Sequence, residues 1–372
     1  MPSRIRAARQ ERGWSQSRLI GELELVAKRR SQTLPSRETL KSRVSRWENA
    51  RARPDDFYRQ LLREAFGLDD RELGFAHEFD ESATPAADEL RMRLSTTRVA
   101  DGTLLESLRS QTEAIRRQDR QYGAGALLEQ MRGHVANLDQ HLAHAVFDSS
   151  RQPLARLLAD AAALAGWQAL DLGAIDQAWR FFETATRAAQ QAGDTALYAF
   201  ARVEQAHVLT ELEQADAAAD LAQSVWEHAH SKVAPGLRCW LSAATSELGA
   251  AAGHADESIA MLRRAESDAG SLGDALPPYL VFDQVHLERW IGHTLVLLGD
   301  PAAVGTLRQA ADGMDPSFIR ADASLRLDLA SALRQQGSLE ESAIELQKAE
   351  ALARRVGSRR QLNRLRRLRS AS

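Results

Sequence analysis

The chain has 372 residues and a single cysteine, Cys239, which allows two or three domains, excludes an internal disulfide framework and fits a reducing compartment. Ala, Leu, Arg, Glu and Gln fill most segments, which predicts an all-α protein, and no apolar run approaches the roughly 18 residues of a membrane span nor is a signal peptide visible, so the expected location is cytoplasmic. The net charge of −3 hides a segregation: residues 1–63 carry about +9, 64–353 about −20 and 354–372 about +8, the pattern of a nucleic-acid-facing end on a body that repels nucleic acid.

Residues 3–12 predict a short helix closed by Gly13, with Ile5 and Ala8 inward. Ser15 is placed to cap a second helix running to about Ala27, whose buried stripe is Leu19, Leu23 and Val26. A polar loop follows from Lys28. Ser36 then caps a third helix in which Leu40, Val44 and Trp47 face inward, while Arg37, Thr39, Lys41, Ser42, Arg43, Ser45 and Arg46 make a basic, hydroxyl-rich outer surface. Arginine can pair bidentately with guanine edges, and lysine and hydroxyls can hold phosphates, so this helix suits a DNA groove; the competing reading is a solvated charged helix. After a break at 53–56, residues 57–66 predict a further amphipathic helix that ends at Gly67.

These residues carry a family resemblance. RxxRxxRGWSQ from Arg6, SRWENARARP from Ser45 and LLREAFGL from Leu61 resemble the helix-turn-helix of λ-repressor/Cro-like (XRE) regulators over about residues 3–73. The resemblance implies that the start of the second helix, Ser15 and Gln16, contacts the DNA backbone and that the third helix enters the major groove. The candidate DNA-binding residues are therefore Ser15, Gln16, Arg37, Thr39, Lys41, Ser42, Arg43 and Arg46. The segment LELVAKRRSQTLP is longer than the tight turn of that pattern. If the third helix starts at Ser36, Arg37 and Thr39 are base readers; if nearer Lys41, they belong to a phosphate-contacting loop.

Residues 76–88 are polar, acidic and contain Pro85, as a linker does. From Glu89 to about Phe147 two or three helices are expected, with Leu90, Leu94, Leu104, Leu105 and Leu108 in an amphipathic pair. His134, His141 and His144 fall along one helical face, but residues seven apart lie two turns away from each other, so a packed or solvated helix outweighs a metal site.

A repeat of about 40 residues then appears in segments starting at Leu164, Glu247, Trp290 and Leu329, each with a turn glycine (Gly173, Gly253, Gly299, Gly337), and a further copy without one lies around Glu213. It resembles tetratricopeptide (TPR) repeats: Gly166, Gly173, Ala178, Phe182 and Ala185 fit that motif in one copy, and Gly292, Gly299 and Pro316 in another. About five such hairpins stack into a curved rod with a concave groove. The resemblance places the first helix of each hairpin on the concave side, giving as ligand-groove candidates Asp160, Trp167, Asp171, Phe200, His207, Glu211, Trp240, Glu247, His286, Arg289, His293 and Arg334. A peptide lying there would set its carboxylate near Arg289; the competing reading makes Trp167, Phe200 and Trp240 ordinary packing between repeats. The last segment carries Leu362, Leu365 and Leu368 on one face with arginines elsewhere, which favours a capping helix over a second DNA contact.

The predicted fold is all-α, a helix-turn-helix domain at 1–75, a linker at 76–88, a helical connecting region at 89–154, TPR-like repeats at 155–356 and a basic capping helix at 357–372. A helix-turn-helix joined to TPR-like repeats resembles the peptide-sensing RRNPP regulators and, more nearly, the TPR-bearing XRE regulators of actinomycetes. Asn49, Asn137 and Asn363 are the only asparagines, and none lies on the proposed groove, where RRNPP receptors typically grip a peptide backbone with asparagines. No phosphate-cradling glycine loop, nucleophile elbow or zinc-spaced Cys/His set is present, so neither an enzyme nor a cofactor is expected. The expectation is a DNA-binding regulator, a homodimer on an operator, controlled by a peptide, small molecule or protein; the alternative is a TPR scaffold for a protein partner with an N-terminal domain that does not bind DNA.

Overall fold

Helix caps appear where the sequence places short polar side chains before apolar stripes. Ser15 Oγ accepts from the Arg18 amide at 3.1 Å, Ser36 Oγ from Thr39, and Asp55 Oδ1 from the Tyr58 amide at 3.1 Å. The computed structural model describes residues 4–30, 32–49, 51–70, 72–75, 102–272 and 276–370. The expected linker at 76–88, and Leu90 and Leu94, lie outside the described residues. Those residues hold 17 α-helices and no strand, and the chain divides into two compact units, Met1–Arg91 and Met92–Ser372.

The first unit is a helix-turn-helix domain: α1 (Arg4–Glu11), α2 (Gln16–Arg29), α3 (Arg37–Glu48) and α4 (Asp56–Phe66). Leu19, Leu23, Leu40, Val44, Leu61 and Leu62 are fully buried at its centre. Trp47 packs on Tyr58 with ring centroids 5.0 Å apart, and Trp14 stacks on Phe66 at 5.5 Å. Helix α2 runs two residues beyond its expected end.

The second unit begins with α5 (Gly102–Tyr122) and α6 (Leu128–His144) and continues as a TPR-like solenoid of five helical hairpins. These are α7 (Asp148–Asp171) with α8 (Ile175–Gln191), α9 (Thr195–Glu211) with α10 (Ala215–Ala229), and α11 (Pro235–Ala251) with α12 (Ala255–Asp268). Then come α13 (Gln284–Leu298) with α14 (Ala303–Gly313) and α15 (Ile319–Gln335) with α16 (Leu339–Arg355), before the final helix α17 (Arg359–Ser370). Four hairpin turns contain a left-handed glycine, with φ of 73° to 83° at Gly173, Gly253 and Gly337 and 71° at Gly299. Glu213 takes that conformation in the α9–α10 turn, at φ 60°. Small residues set the hairpin spacing, since a Cβ on Gly166 would stand 2.9 Å from the Phe182 ring and one on Gly292 would stand 2.5 Å from Leu307.

The expected concave groove is bridged by elements outside the repeats. Arg320 at the start of α15 spans back to Asp119 on α5, Nη2 to Oδ2 at 3.0 Å, and to Asp171 at the end of α7, Nε to Oδ2 at 3.0 Å. Ser358 Oγ donates to Asp171 Oδ1 at 2.5 Å. At the α5–α6 corner, Gly123 (φ 78°) lies so close to Val356 that a Cβ would meet its carbonyl oxygen at 2.1 Å. Helix α17 packs on α15 and α16 and also reaches α7. The bridging contacts come from α5 and α17, which lie outside the repeats, so the repeat pattern alone implies an unbridged groove.

Candidate functional site

The first candidate surface is the outer face of α3. Its inner face is anchored through Glu48, a carboxylate only 2% exposed that accepts from Arg9 Nε at 2.5 Å, Arg9 Nη2 at 3.0 Å and Gln16 Nε2 at 2.9 Å. Burial pulls the Glu48 pKa upward, but these donors outweigh it and the net shift is downward, so the carboxylate stays ionised and clamps α1, α2 and α3 together.

Five of the eight predicted DNA contacts already have partners within the protein. Ser15 is engaged in capping α2 and Gln16 in holding Glu48. The third helix does start at Ser36, yet Arg37 turns to Glu24 on α2 at 3.0 Å, and Thr39 Oγ1 lies 3.0 Å from Ser36 Oγ. Arg43 is half-buried with its guanidinium 5.0 Å from the Tyr58 ring centroid, a packing contact in addition to any other role. Lys41, Ser42 and Arg46 are exposed, and their side chains make no hydrogen bond or ion pair among the described residues. A face with two unpaired cations flanking a hydroxyl can meet a polyanion without first breaking internal bonds.

The second candidate is a cavity of about 640 Å³ inside the second unit. Its repeat-borne helical lining comes from α7, α9, α11, α13 and α15, the first helices of the hairpins, and α5 and α17 complete it. Nine predicted groove residues line it: Trp167, Phe200, His207, Glu211, Trp240, Glu247, His286, Arg289 and His293. The remaining three do not. Asp160 pairs with Arg116 at 2.5 Å, Asp171 is taken by Arg320 and Ser358 in the closing seam, and Arg334 Nη1 donates to the Leu368 carbonyl on α17 at 2.6 Å.

An aromatic wall occupies one part of the cavity. Phe200 lies 5.0 Å from Trp240 and 4.8 Å from Tyr279 between centroids, and Trp240 lies 6.2 Å from Trp290. These rings do pack between repeats, but they also present surface to the cavity.

Charge on the lining is arranged in pairs. Arg360 Nε donates to Glu211 at 2.7 Å. Asp328, fully buried beneath the lining, accepts from Arg364 and lies 2.6 Å from His293 Nδ1; burial opposes its ionisation, yet these two partners hold its pKa down at about 2. Glu247 lies 3.5 Å from His293 Nε2, and cationic neighbours outweigh burial to lower its pKa. His207, desolvated by burial, is held down at about 4 and is neutral at pH 7. Glu204 has no partner for Oε2, and burial pushes its carboxyl up to about 8.

No protein-family model matches this chain, and no curated protein sequence matches it significantly. Among solved structures, the crystal structure of Bacillus thuringiensis PlcR in complex with the peptide PapR7 and DNA is similar over 97% of this chain and 96% of that one, at 12% sequence identity and a TM-score of 0.34.

Several cavity residues escape the repeat pattern. Arg120 and Asp119 come from α5, Tyr279 from the connection between α12 and α13, and Arg360, Arg364 and Arg367 from α17. The α17 arginines recur at i, i+4 and i+7, a stripe that a capping helix facing only solvent does not require. Glu204 was within reach, since it lies one turn from both Phe200 and His207 on the same face of α9. His134 is a buried side chain 2.9 Å from Thr112 Oγ1, a core hydrogen bond between α5 and α6.

Proposed function

We propose that this chain is a sequence-specific DNA-binding transcriptional regulator whose activity is controlled by a ligand held in the repeat unit. The observation that carries the reading is the outer face of α3, where Lys41, Ser42 and Arg46 stand exposed and unpartnered on a helix locked in place by Trp47 and Glu48. Short basic helices clamped at one end into a small helical domain suit insertion into the major groove, with the cations on phosphate or guanine and the hydroxyl on either. The segregated charge supports the same reading, because the acidic body would orient the basic end toward the polyanion. In this reading the chain acts in the cytosol as a homodimer on a two-fold operator and performs no catalysis.

Selection of bound sequences from a random double-stranded DNA pool tests it. The full chain is expected to enrich a motif with dyad symmetry, and the Lys41→Ala/Arg46→Ala variant is expected to enrich it more weakly or with relaxed sequence preference. A wild-type pool that stays random would remove the proposal and favour a scaffold whose N-terminal unit does not read DNA.

A further inference from the structure

Toward Phe318 the lining of the cavity turns cationic. The Arg120 guanidinium lies 5.6 Å from the Phe318 ring centroid, and His286 meets the same ring edge-on at 4.9 Å. Arg289 lies 5.3 Å from the Trp290 ring centroid and one helical turn from His286 on α13. The two guanidinium groups therefore share one corner of the cavity, adjoining the aromatic wall through Trp290.

The other charges of the cavity are largely spoken for. Asp119 and Asp171 bind Arg320, Glu211 binds Arg360, Asp328 binds Arg364, and Asp283 accepts from the His286 amide at 2.9 Å. Arg289 and Arg120 are different. Among the described residues neither side chain makes an ion pair or hydrogen bond, and Arg289 Nε is buried with no partner; Glu247 and Asp328 favour the Arg289 charge only at longer range. Burial lowers the pKa of both groups below that of an ordinary arginine. A desolvated, unpaired cation is costly, and an anion that reaches it removes the cost.

We propose that this cavity binds a compact organic anion, its flat apolar body against Phe200, Trp240 and Trp290 and a single carboxylate or phosphate between Arg289 and Arg120. Pairing sets the sign, because Arg116, Arg320, Arg360, Arg364 and Arg367 each meet a carboxylate of the protein and Arg120 and Arg289 do not. Glu204 on the same lining is a neutral acid at pH 7 and can donate a hydrogen bond to the ligand. A neutral ligand would leave both guanidinium groups unpaired, and a cation would meet them as like charges. A volume near 640 Å³, bounded on two sides by the Arg320 seam and α17, is of small-molecule size. That such binding regulates DNA rests on the function proposed above; the binding itself does not, and is measured without DNA.

The test uses the full chain and three probes of one shape: biphenyl carboxylate, biphenyl phosphate and the neutral biphenylmethanol, titrated by calorimetry and tryptophan fluorescence. Both anions are expected to bind at least about tenfold more tightly than the alcohol, the margin of one charge-assisted hydrogen bond. Whichever anion binds better identifies the head group. Arg289→Met should cut anion affinity by about tenfold or more and leave the alcohol unchanged, and Arg120→Met, on a different helix, should do the same if folding of the first variant is in doubt. Equal affinities for the three probes, no binding of any, or anion binding unaffected by both variants would overturn the proposal. Anion binding with no selected DNA motif would remove only the regulatory reading, and a DNA motif without anion binding would remove only this one.

Discussion

Arg320→Met is the perturbation that most directly probes the closure of the repeat unit. Arg320 holds two carboxylates that are nearly inaccessible, with side-chain exposures of 5% for Asp119 and 2% for Asp171. Methionine keeps much of the stem and removes the charge, leaving each carboxylate with a neutral partner: Gln168 Nε2 at 3.1 Å for Asp119 and Ser358 Oγ at 2.5 Å for Asp171. Breaking a buried pair by deleting one partner costs about 3–5 kcal/mol, whereas exposed pairs contribute about 0–1 kcal/mol. The lower limit applies if the seam opens and lets water reach the acids, the upper if it stays shut. Urea unfolding at pH 7 should show the loss, and amide exchange should show α17 losing protection before the other helices. The triple variant Asp119→Asn/Asp171→Asn/Arg320→Met removes the stranded charges and should recover a good part of it. Stability of Arg320→Met within 1 kcal/mol of wild type, on the scale set for exposed pairs, or no recovery in the triple variant, would refute the reasoning.

Glu213→Gly should stabilise the chain, since a left-handed non-glycine residue costs about 1–2 kcal/mol and the added freedom of glycine when unfolded returns about 0.4–1 kcal/mol; a net gain of roughly 0.5–1 kcal/mol by thermal unfolding is expected, and a loss would contradict it. Gly292→Ala should cost about 1–3 kcal/mol because its Cβ would stand 2.5 Å from the buried Leu307, and unchanged stability would show that Leu307 can yield. Glu204 gives a pH dependence: its folded pKa, about 8, lies above the ordinary 4.5, so its favourable contribution is complete below the lower value and is lost as pH rises through the upper. Glu204→Gln should remove a stability slope on the order of 1 kcal/mol per pH unit across that window, and parallel pH profiles for the two proteins would count against a buried neutral acid.

Helix order, hairpins and turn glycines were legible because each rests on local chemistry: Ser15, Ser36 and Asp55 cap helices, and Gly173, Gly253, Gly299 and Gly337 bend back on themselves. Most of the cavity lining was legible for a related reason, since Trp167, His207, Glu247 and Arg289 sit at matching places on first helices. Asp160, Asp171 and Arg334 share that periodicity but find partners on α5, α15, α17 and the turn before α17, contacts made between residues up to 187 apart in sequence. Local pattern carries no information about such partners. The same holds in the first unit, where spacing placed Arg37 and Thr39 on the outer face and could not reveal that Glu24 and Ser36 engage them.

The central claim, that the outer face of α3 reads DNA, is tested most directly by the salt dependence of binding. Fluorescence anisotropy of the full chain on its selected duplex should give a steep fall of log affinity with log salt, about 0.9 per phosphate contact. Lys41→Ala/Arg46→Ala should weaken binding and flatten the slope by about 1 for each cation that meets a phosphate, or relax sequence preference where it meets a base. Unchanged affinity, slope and sequence preference in that variant would contradict the account.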